Sequence, residues 1–221
     1  DQSIQNDYLA EIIRNKFSGN NILLIENGKN NSSNGDVSFF DVLANKLMLQ
    51  KTNFSRVRIA ESETIGQKLS DSKNNIIVFE SENFADVKDY LRELSTLSST
   101  LSIAVIGQYA WRSERGAKPK MYYTAPFRGV KNGTSFYEEE YKKYYNKASV
   151  AGNPRFDLLG YDLTNFFFTT MKRNGFSFDN STQSLRFNNG VQSDFDFNRV
   201  GNNGGFVNSK MYIIEDEAKA N

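Results

Sequence analysis

The chain has 221 residues, with 27 Lys and Arg against 26 Asp and Glu, so its net charge is +1 and no global field draws it to nucleic acid or to an anionic membrane. Hydrophobic residues at 38%, aromatics at 14% and only 3 Pro exclude wholesale disorder and any collagen-like or Pro-rich architecture, leaving one large domain or two small ones. Neither Cys nor His occurs, which removes disulfides, thiolate nucleophiles, imidazole bases and the usual zinc ligands together.

Tyr8, Ile12, Ile13 and Phe17 recur at helical spacing, the Ser18-Gly19-Asn20-Asn21 break follows, and residues 22–25 read as a buried strand closed by Glu26 and Asn27. A soft stretch at 28–35 leads to Asp36, a helix cap, and to a helix with Phe39, Phe40, Leu43 and Leu47 on one stripe. Residues 57–60 form a short β-branched strand, and Ser62 or Glu63 opens a brief helix carrying Ile65 and Leu69. Residues 76–79 give the strongest strand signal, ending at Glu80 and Ser81. A helix over 83–97 follows, with Phe84, Val87, Leu91 and Leu94 on one face, then a strand at 101–106 that exits through Gly107, Gln108 and Tyr109.

Strands alternating with helices in this way predict a parallel sheet with helices on both faces, its strand exits and their loops on one common edge. Ligands of open sheets bind beyond that carboxyl edge, near the reversal of strand order. From residue 121 the pattern changes: a strand at 121–125, a helix at 134–147 lined by Tyr137, Tyr141, Tyr144 and Tyr145, and a Phe-rich helix at 157–174. Short strands at 186–189, 193–200 and 206–215 close the chain as a β-ribbon. The expected fold class is α/β: a three-layer parallel sheet of four to five strands with flanking helices, plus a C-terminal antiparallel ribbon. The expected division is a lobe at 1–125, crossover helices at 126–190 and strands at 191–221 that return to the lobe.

The chemistry is bounded by what is missing. No phosphate loop or dinucleotide fingerprint follows a strand, and no G-x-S-x-G elbow occurs. Ser70 and Lys73 match a Ser-x-x-Lys spacing without the companion motifs of penicillin-recognising enzymes, and read as a helix-to-strand loop. Carboxylates are the acid/base groups that remain: Glu26 and Glu80, ending neighbouring strands, are either a glycosidase pair or helix-capping and ligand-binding groups. Asp194 and Asp196 share one strand face, a solvated edge and not a metal site. No cofactor is expected.

Residues 111–131 hold Arg112, Arg115, Lys118, Lys120, Arg128 and Lys131 against the single acid Glu114, interleaved with Tyr122, Tyr123 and Phe127. Such a run either tracks a single-stranded nucleic acid or solvates a loop while its aromatics pack inward; the second reading is adopted, and with it no nucleic-acid partner. A carboxylate- or phosphate-bearing small ligand is the remaining option there. The tyrosines at 137, 141, 144 and 145 are a core or interface stripe, or a stacking platform.

The absence of Cys fits a reducing cytosol and a disulfide-free exported bacterial protein equally. The chain opens at Asp1 with no leader, read as a removed leader or upstream portion, and no apolar run reaches the roughly 18 residues of a membrane span. Sequons at Asn31, Asn53, Asn132 and Asn180 are what an Asn-rich chain produces by chance.

The stretch Phe136-Tyr-Glu-Glu-Glu-Tyr-Lys-Lys-Tyr-Tyr145, then Asn153-Pro-Arg-Phe-Asp-Leu-Leu-Gly-Tyr-Asp162 and the helix to Gly175, resembles the signature of type I periplasmic binding proteins. These are the leucine and amino-acid receptors among the substrate-binding proteins of ABC transporters. Asn21-Ile-Leu-Leu-Ile-Glu26, Asn75-Ile-Ile-Val-Phe-Glu80 and Ile103-Ala-Val-Ile-Gly-Gln-Tyr-Ala-Trp111 resemble that family's second lobe. Phe195-Asp-Phe-Asn, Gly204-Gly205, Asn208 and residues 211–214 resemble its last strands, in the branch that follows a LysM peptidoglycan-binding domain.

The resemblance implies a non-catalytic receptor of the bacterial periplasm or cell envelope, binding an amino acid, peptide or peptidoglycan fragment. Its contacts would be Asn27, Glu80, Ser81, Gln108 and Tyr109, with Trp111 as an apolar wall, Glu80 taking a ligand amine. It also implies that the first lobe's sheet is missing, so the Phe and Tyr helix faces at 136–175 must meet the remaining lobe, a second copy as a homodimer, or an unseen portion of a longer protein. A structural or interaction module of the envelope that has lost its ligand is the alternative, and a carboxylate glycosidase the third reading.

Overall fold

The computed structural model describes residues 2–26, 39–59, 63–128, 134–150, 152, 154–175, 185–201 and 204–216. Its elements in chain order are α1 (Gln2–Lys16), β1 (Asn21–Glu26), α2 (Phe39–Leu49), β2 (Ser55–Arg58), a 3-10 turn (Ile65–Lys68), β3 (Asn75–Phe79), α3 (Phe84–Leu97), β4 (Ile103–Gly107), a second 3-10 turn (Tyr109–Ser113) and β5 (Lys120–Ala125). They continue with α4 (Ser135–Tyr145), α5 (Phe156–Asn174), β6 (Leu185–Phe187), β7 (Phe195–Arg199), β8 (Phe206–Asn208) and β9 (Tyr212–Asp216). The chain divides into two compact units, Asp1–Thr124 with Ile213–Asn221, and Ala125–Tyr212. The fold is mixed α/β.

The first unit is built on a six-stranded sheet of order β2-β1-β3-β4-β5-β9. Every pairing from β2 through β5 is parallel, with Ile22 opposite Ile76, Ile76 opposite Ala104 and Ile106 opposite Tyr122. All five residues of β3 are buried, as a strand covered on both faces requires, which is why residues 76–79 read as an unbroken apolar run. Alternate side chains divide between two cores. Ile22, Leu24, Ile76, Val78, Ile106 and Tyr122 pack with Leu9 and Ile13 of α1, with Phe17 just after it, and with Phe40, Leu43 and Leu47 of α2. Leu23, Ile25, Ile77, Phe79, Val105 and Tyr123 pack on the other face with Val87, Leu91 and Leu94 of α3, together with Ile65 and Trp111.

Asn83 caps α3, its side chain accepting from the Ala85 amide at 3.1 Å. At the sheet's amino edge the fully buried Asn75 side chain accepts from Asn21 Nδ2 (2.8 Å) and the Ser70 amide (2.7 Å) and donates to the carbonyls of Ser70 and Ser102. One amide side chain thereby ties together the entries of three strands, with its polar atoms satisfied where a bare one would cost stability.

Three expectations are adjusted. The brief helix around Ile65 is a 3-10 turn, its amides bonding three residues back (Gln67 to Thr64, Leu69 to Gly66), and Ser62 lies outside the described residues, as does the Asp36 cap. The strand expected at 57–60 sits at Ser55–Arg58. The single strand expected at 206–215 is two, β8 pairing with β7 and β9 lying beside β5, which brings the sheet to six strands.

In the second unit β6, β7 and β8 form an antiparallel sheet with Leu185 opposite Phe197 and Phe187 opposite Phe195. Phe166 of α5 lies on it, ring centroids 4.9 Å from Phe197, 5.6 Å from Phe195 and 6.4 Å from Phe187. Asp162, one turn earlier on α5 and fully buried, accepts the amides of Val191 (2.7 Å), Gln192 (2.9 Å) and Ser193 (2.8 Å). Three N–H donors on one carboxylate are the physical content of the Gly-Tyr-Asp segment. The clamped loop begins at Gly190, where a Cβ would lie 1.7 Å from the Ser193 carbonyl oxygen, so only glycine fits.

Candidate ligand-binding site

From β1 the chain crosses to β2 on one side, then returns past β1 to β3, β4 and β5 on the other, so strand order reverses between β1 and β3. The helices leaving these two strands lie on opposite faces, α2 in the first core and α3 in the second. A sheet with this reversal has its crevice at the carboxyl ends of those two strands. Glu26 ends β1 there; Glu80 and Ser81 follow β3; Gln108 and Tyr109 follow β4. Asn27 lies outside the described residues.

Glu80 is half-buried, and its amide donates to the Ile25 carbonyl at 2.9 Å, carrying the ladder one residue past β3. Ser81 is buried; its hydroxyl donates to Asp86 Oδ2 (2.8 Å) and accepts from the Asn83 amide (3.2 Å), so it shapes the entry to α3. Gln108 and Tyr109 are half-buried. The Tyr109 ring meets Tyr123 edge-on at 6.3 Å and has the Arg112 guanidinium 6.0 Å from its centroid. Trp111 is only 2% exposed, its indole N–H donating to the Glu82 carbonyl at 2.8 Å, and it packs in the second core. A Cβ on Gly107 would lie 2.6 Å from the Trp111 ring, so glycine is what lets the indole sit against the end of β4. Beneath the strand exits, a cavity of about 10 Å³ touched by Phe79, Gln108 and Trp111 has room for about one water.

Two ion-pair systems set the electrostatics. Glu26 receives Arg56 Nε at 3.0 Å and Arg58 Nη2 at 3.4 Å, while Arg56 also reaches Asp41 at 2.7 Å. The hydrogen bond to Asp41, with Glu26 adding to it, holds the Arg56 guanidinium above its ordinary range. Glu26 thus faces two cations at the end of β1. Arg112 makes a bidentate pair with Asp216 (2.9 and 3.0 Å), which pushes its guanidinium well above the ordinary range and fixes the turn that carries Tyr109. Burial pushes the Tyr123 phenol well above its usual range, the Asp216 charge adding to it. The Arg112–Asp216 link spans 104 residues, and no local pattern could have announced it.

The other sequence candidates fall elsewhere. Ser70 lies at the amino edge, its hydroxyl accepting from the Ser72 amide at 3.3 Å. In the second unit Asp194 is buried and accepts Arg128 Nη2 (2.9 Å) and the Gly190 amide (3.1 Å), while Asp196 pairs with Arg186 at 3.3 Å. Among the described residues no cluster of acidic side chains has the makings of a metal site. Within the basic stretch, Lys118 donates to the carbonyls of Trp111 and Glu114, Lys120 pairs with Glu215, and Tyr122 and Tyr123 point into opposite cores. Lys131 lies outside the described residues. Tyr137, Tyr141 and Tyr145 follow one another along α4 at 5.9 and 4.7 Å, with Tyr161 at 5.2 Å from Tyr137.

No helix among the described residues is long and apolar enough to cross a membrane. No protein-family model matches the chain, and no curated protein does. Among solved structures it is similar to a leucine-binding protein from Thermotoga maritima, at 15% identity and a TM-score of 0.47, over 99% of this chain and 65% of that one. The chain therefore spans less than two thirds of that protein's length.

Proposed function

We propose that the chain is a non-catalytic ligand-recognition module, taking a small polar ligand (an amino acid, a peptide or a peptidoglycan fragment) beyond the carboxyl ends of its parallel strands. The observation that carries this reading is the reversal of strand order between β1 and β3, which sets Glu80 beside the end of β1. Glu80 receives the ligand's amine; Gln108, Tyr109 and Asn27 supply hydrogen bonds; Ser81 and Trp111 support them from below. The setting that goes with it is extracytoplasmic, at a bacterial cell envelope, in keeping with the segments that resemble type I periplasmic receptors.

The chain's single tryptophan, Trp111, reports on this rim. Titration with amino acids, short peptides and muropeptides, followed by Trp111 fluorescence and calorimetry, is expected to yield a saturable ligand with an amine. Its affinity should fall about 10- to 100-fold in Glu80→Gln, the worth of one charge-assisted hydrogen bond. Absence of heat and of a fluorescence change across all three classes contradicts the reading.

A second reading, an interaction module, is favoured by the exposure of Phe136, Tyr144, Phe156 and Phe168 in the second unit. It predicts a concentration-dependent oligomer in sedimentation and no ligand heat.

A further inference from the structure

The first unit has a second concave surface, on the flank of α3. A hollow of about 260 Å³ runs between α3 and the segment leading into β5, lined by Phe84, Lys88, Asp89, Arg92, Arg115 and the small residues after it. Lys88 and Arg92 are one helical turn apart and so share a face of α3. Arg115 enters from the facing segment. Three cations thus meet over one hollow with a single carboxylate, Asp89, which pairs with Arg92 at 3.1 Å. The surplus is two positive charges.

Several other cations of the unit are held in ion pairs. Arg56 and Arg58 are held by Glu26, Lys68 by Glu63, Arg112 by Asp216, and Lys16 and Lys120 by Glu215. Among the described residues, Lys88 and Arg115 have neither an ion pair nor a hydrogen bond. The ammonium of buried Lys118 lies 5.2 Å from the centroid of the Phe84 ring, a lining residue. Gly116, at φ +129°, has open space where a side chain would stand, which keeps the mouth beside Arg115 clear.

We propose that this hollow binds a phosphate monoester of a small metabolite, independently of the rim at the strand exits. A phosphate monoester carries close to two negative charges at neutral pH, which the surplus matches, and its oxygens suit the planar donor forks of two arginines. The volume lies just below that of ordinary ligand pockets, which fits a phosphoryl group with a small attached body resting on Phe84 and Ala117.

The test uses the intact chain and glycerol phosphate, with inorganic phosphate, succinate and glycerol as comparison probes, read by calorimetry and by amide shifts at 84–92 and 115–117. Glycerol phosphate should saturate, with affinity rising between about pH 5 and pH 7 as its second proton leaves, and falling as salt is raised. Inorganic phosphate should shift the same amides more weakly, and glycerol should shift none. Lys88→Gln and Arg115→Gln, both at exposed positions, should each weaken binding about tenfold, and Asp89→Asn should tighten it by removing the one opposing charge. Succinate binding as tightly as glycerol phosphate, loss of affinity in Asp89→Asn, or no saturation at any pH overturns the proposal.

Discussion

The two units are held together by different means. In the first, a sheet covered on both faces buries aliphatic and aromatic side chains in two separate cores. In the second, the aromatic cluster around Phe166 is small, and a polar knot supplements it in which the side chains of Asp162, Asp194 and Arg128 bind loop backbone and that of Gln192 binds the backbone of Arg155. Apolar burial has no directional demand and tolerates changes of shape that keep volume; a carboxylate holding three amides tolerates almost none.

That contrast can be broken by substitution. The largest effect is expected from Ile77→Ala, which empties a fully buried site and should cost about 3 to 4 kcal/mol in denaturant unfolding, while Ile77→Val should recover most of it. Asp162→Asn should cost less, about 2 kcal/mol, because an amide offers one acceptor oxygen where the carboxylate offers two. Here the size-conserving logic fails: Asp162→Glu should restore little, since an added methylene moves both oxygens off the three amides. Full rescue by Glu would place Asp162 with the shape-tolerant cores.

A smaller effect is expected from alkaline pH. Tyr137 and Tyr212 of the second unit are pushed up to about 12, chiefly by burial. Their folded-state values lie above the unfolded value near 10, so their contribution to stability is intact below pH 10 and is lost as pH rises towards 12. Unfolding and tyrosinate absorbance should therefore rise together in that window, and Tyr212→Phe should reduce the alkaline loss. Absorbance that saturates with the fold intact contradicts this.

The fold was legible where one physical signal dominated. The β1, β3 and β4 segments are apolar runs that only a doubly covered sheet can bury, and α3 carries both its cap and its stripe. Alternation of Phe195 and Phe197 with Asp196 and Asn198 likewise announced β7. The division of 206–215 was not legible, because its two halves are alike in composition and only distant pairing partners tell them apart. At the site, the exits of β3 and β4 followed from the strand pattern. The engagement of Glu26 by Arg56 and Arg58, and of Arg112 by Asp216, did not, since each depends on contacts between strands or across most of the chain. Trp111 read as a wall for ligand; its indole instead lies in the core, fixed by the Glu82 carbonyl.

The central claim is that ligand meets the protein where strand order reverses. Amide chemical-shift mapping with the amine-bearing ligand found by titration tests it most directly. The account predicts saturable shifts at residues 79–81 and 107–109, diminished in Glu80→Gln. Shifts confined to α4 and α5, or unchanged by that substitution, would contradict it.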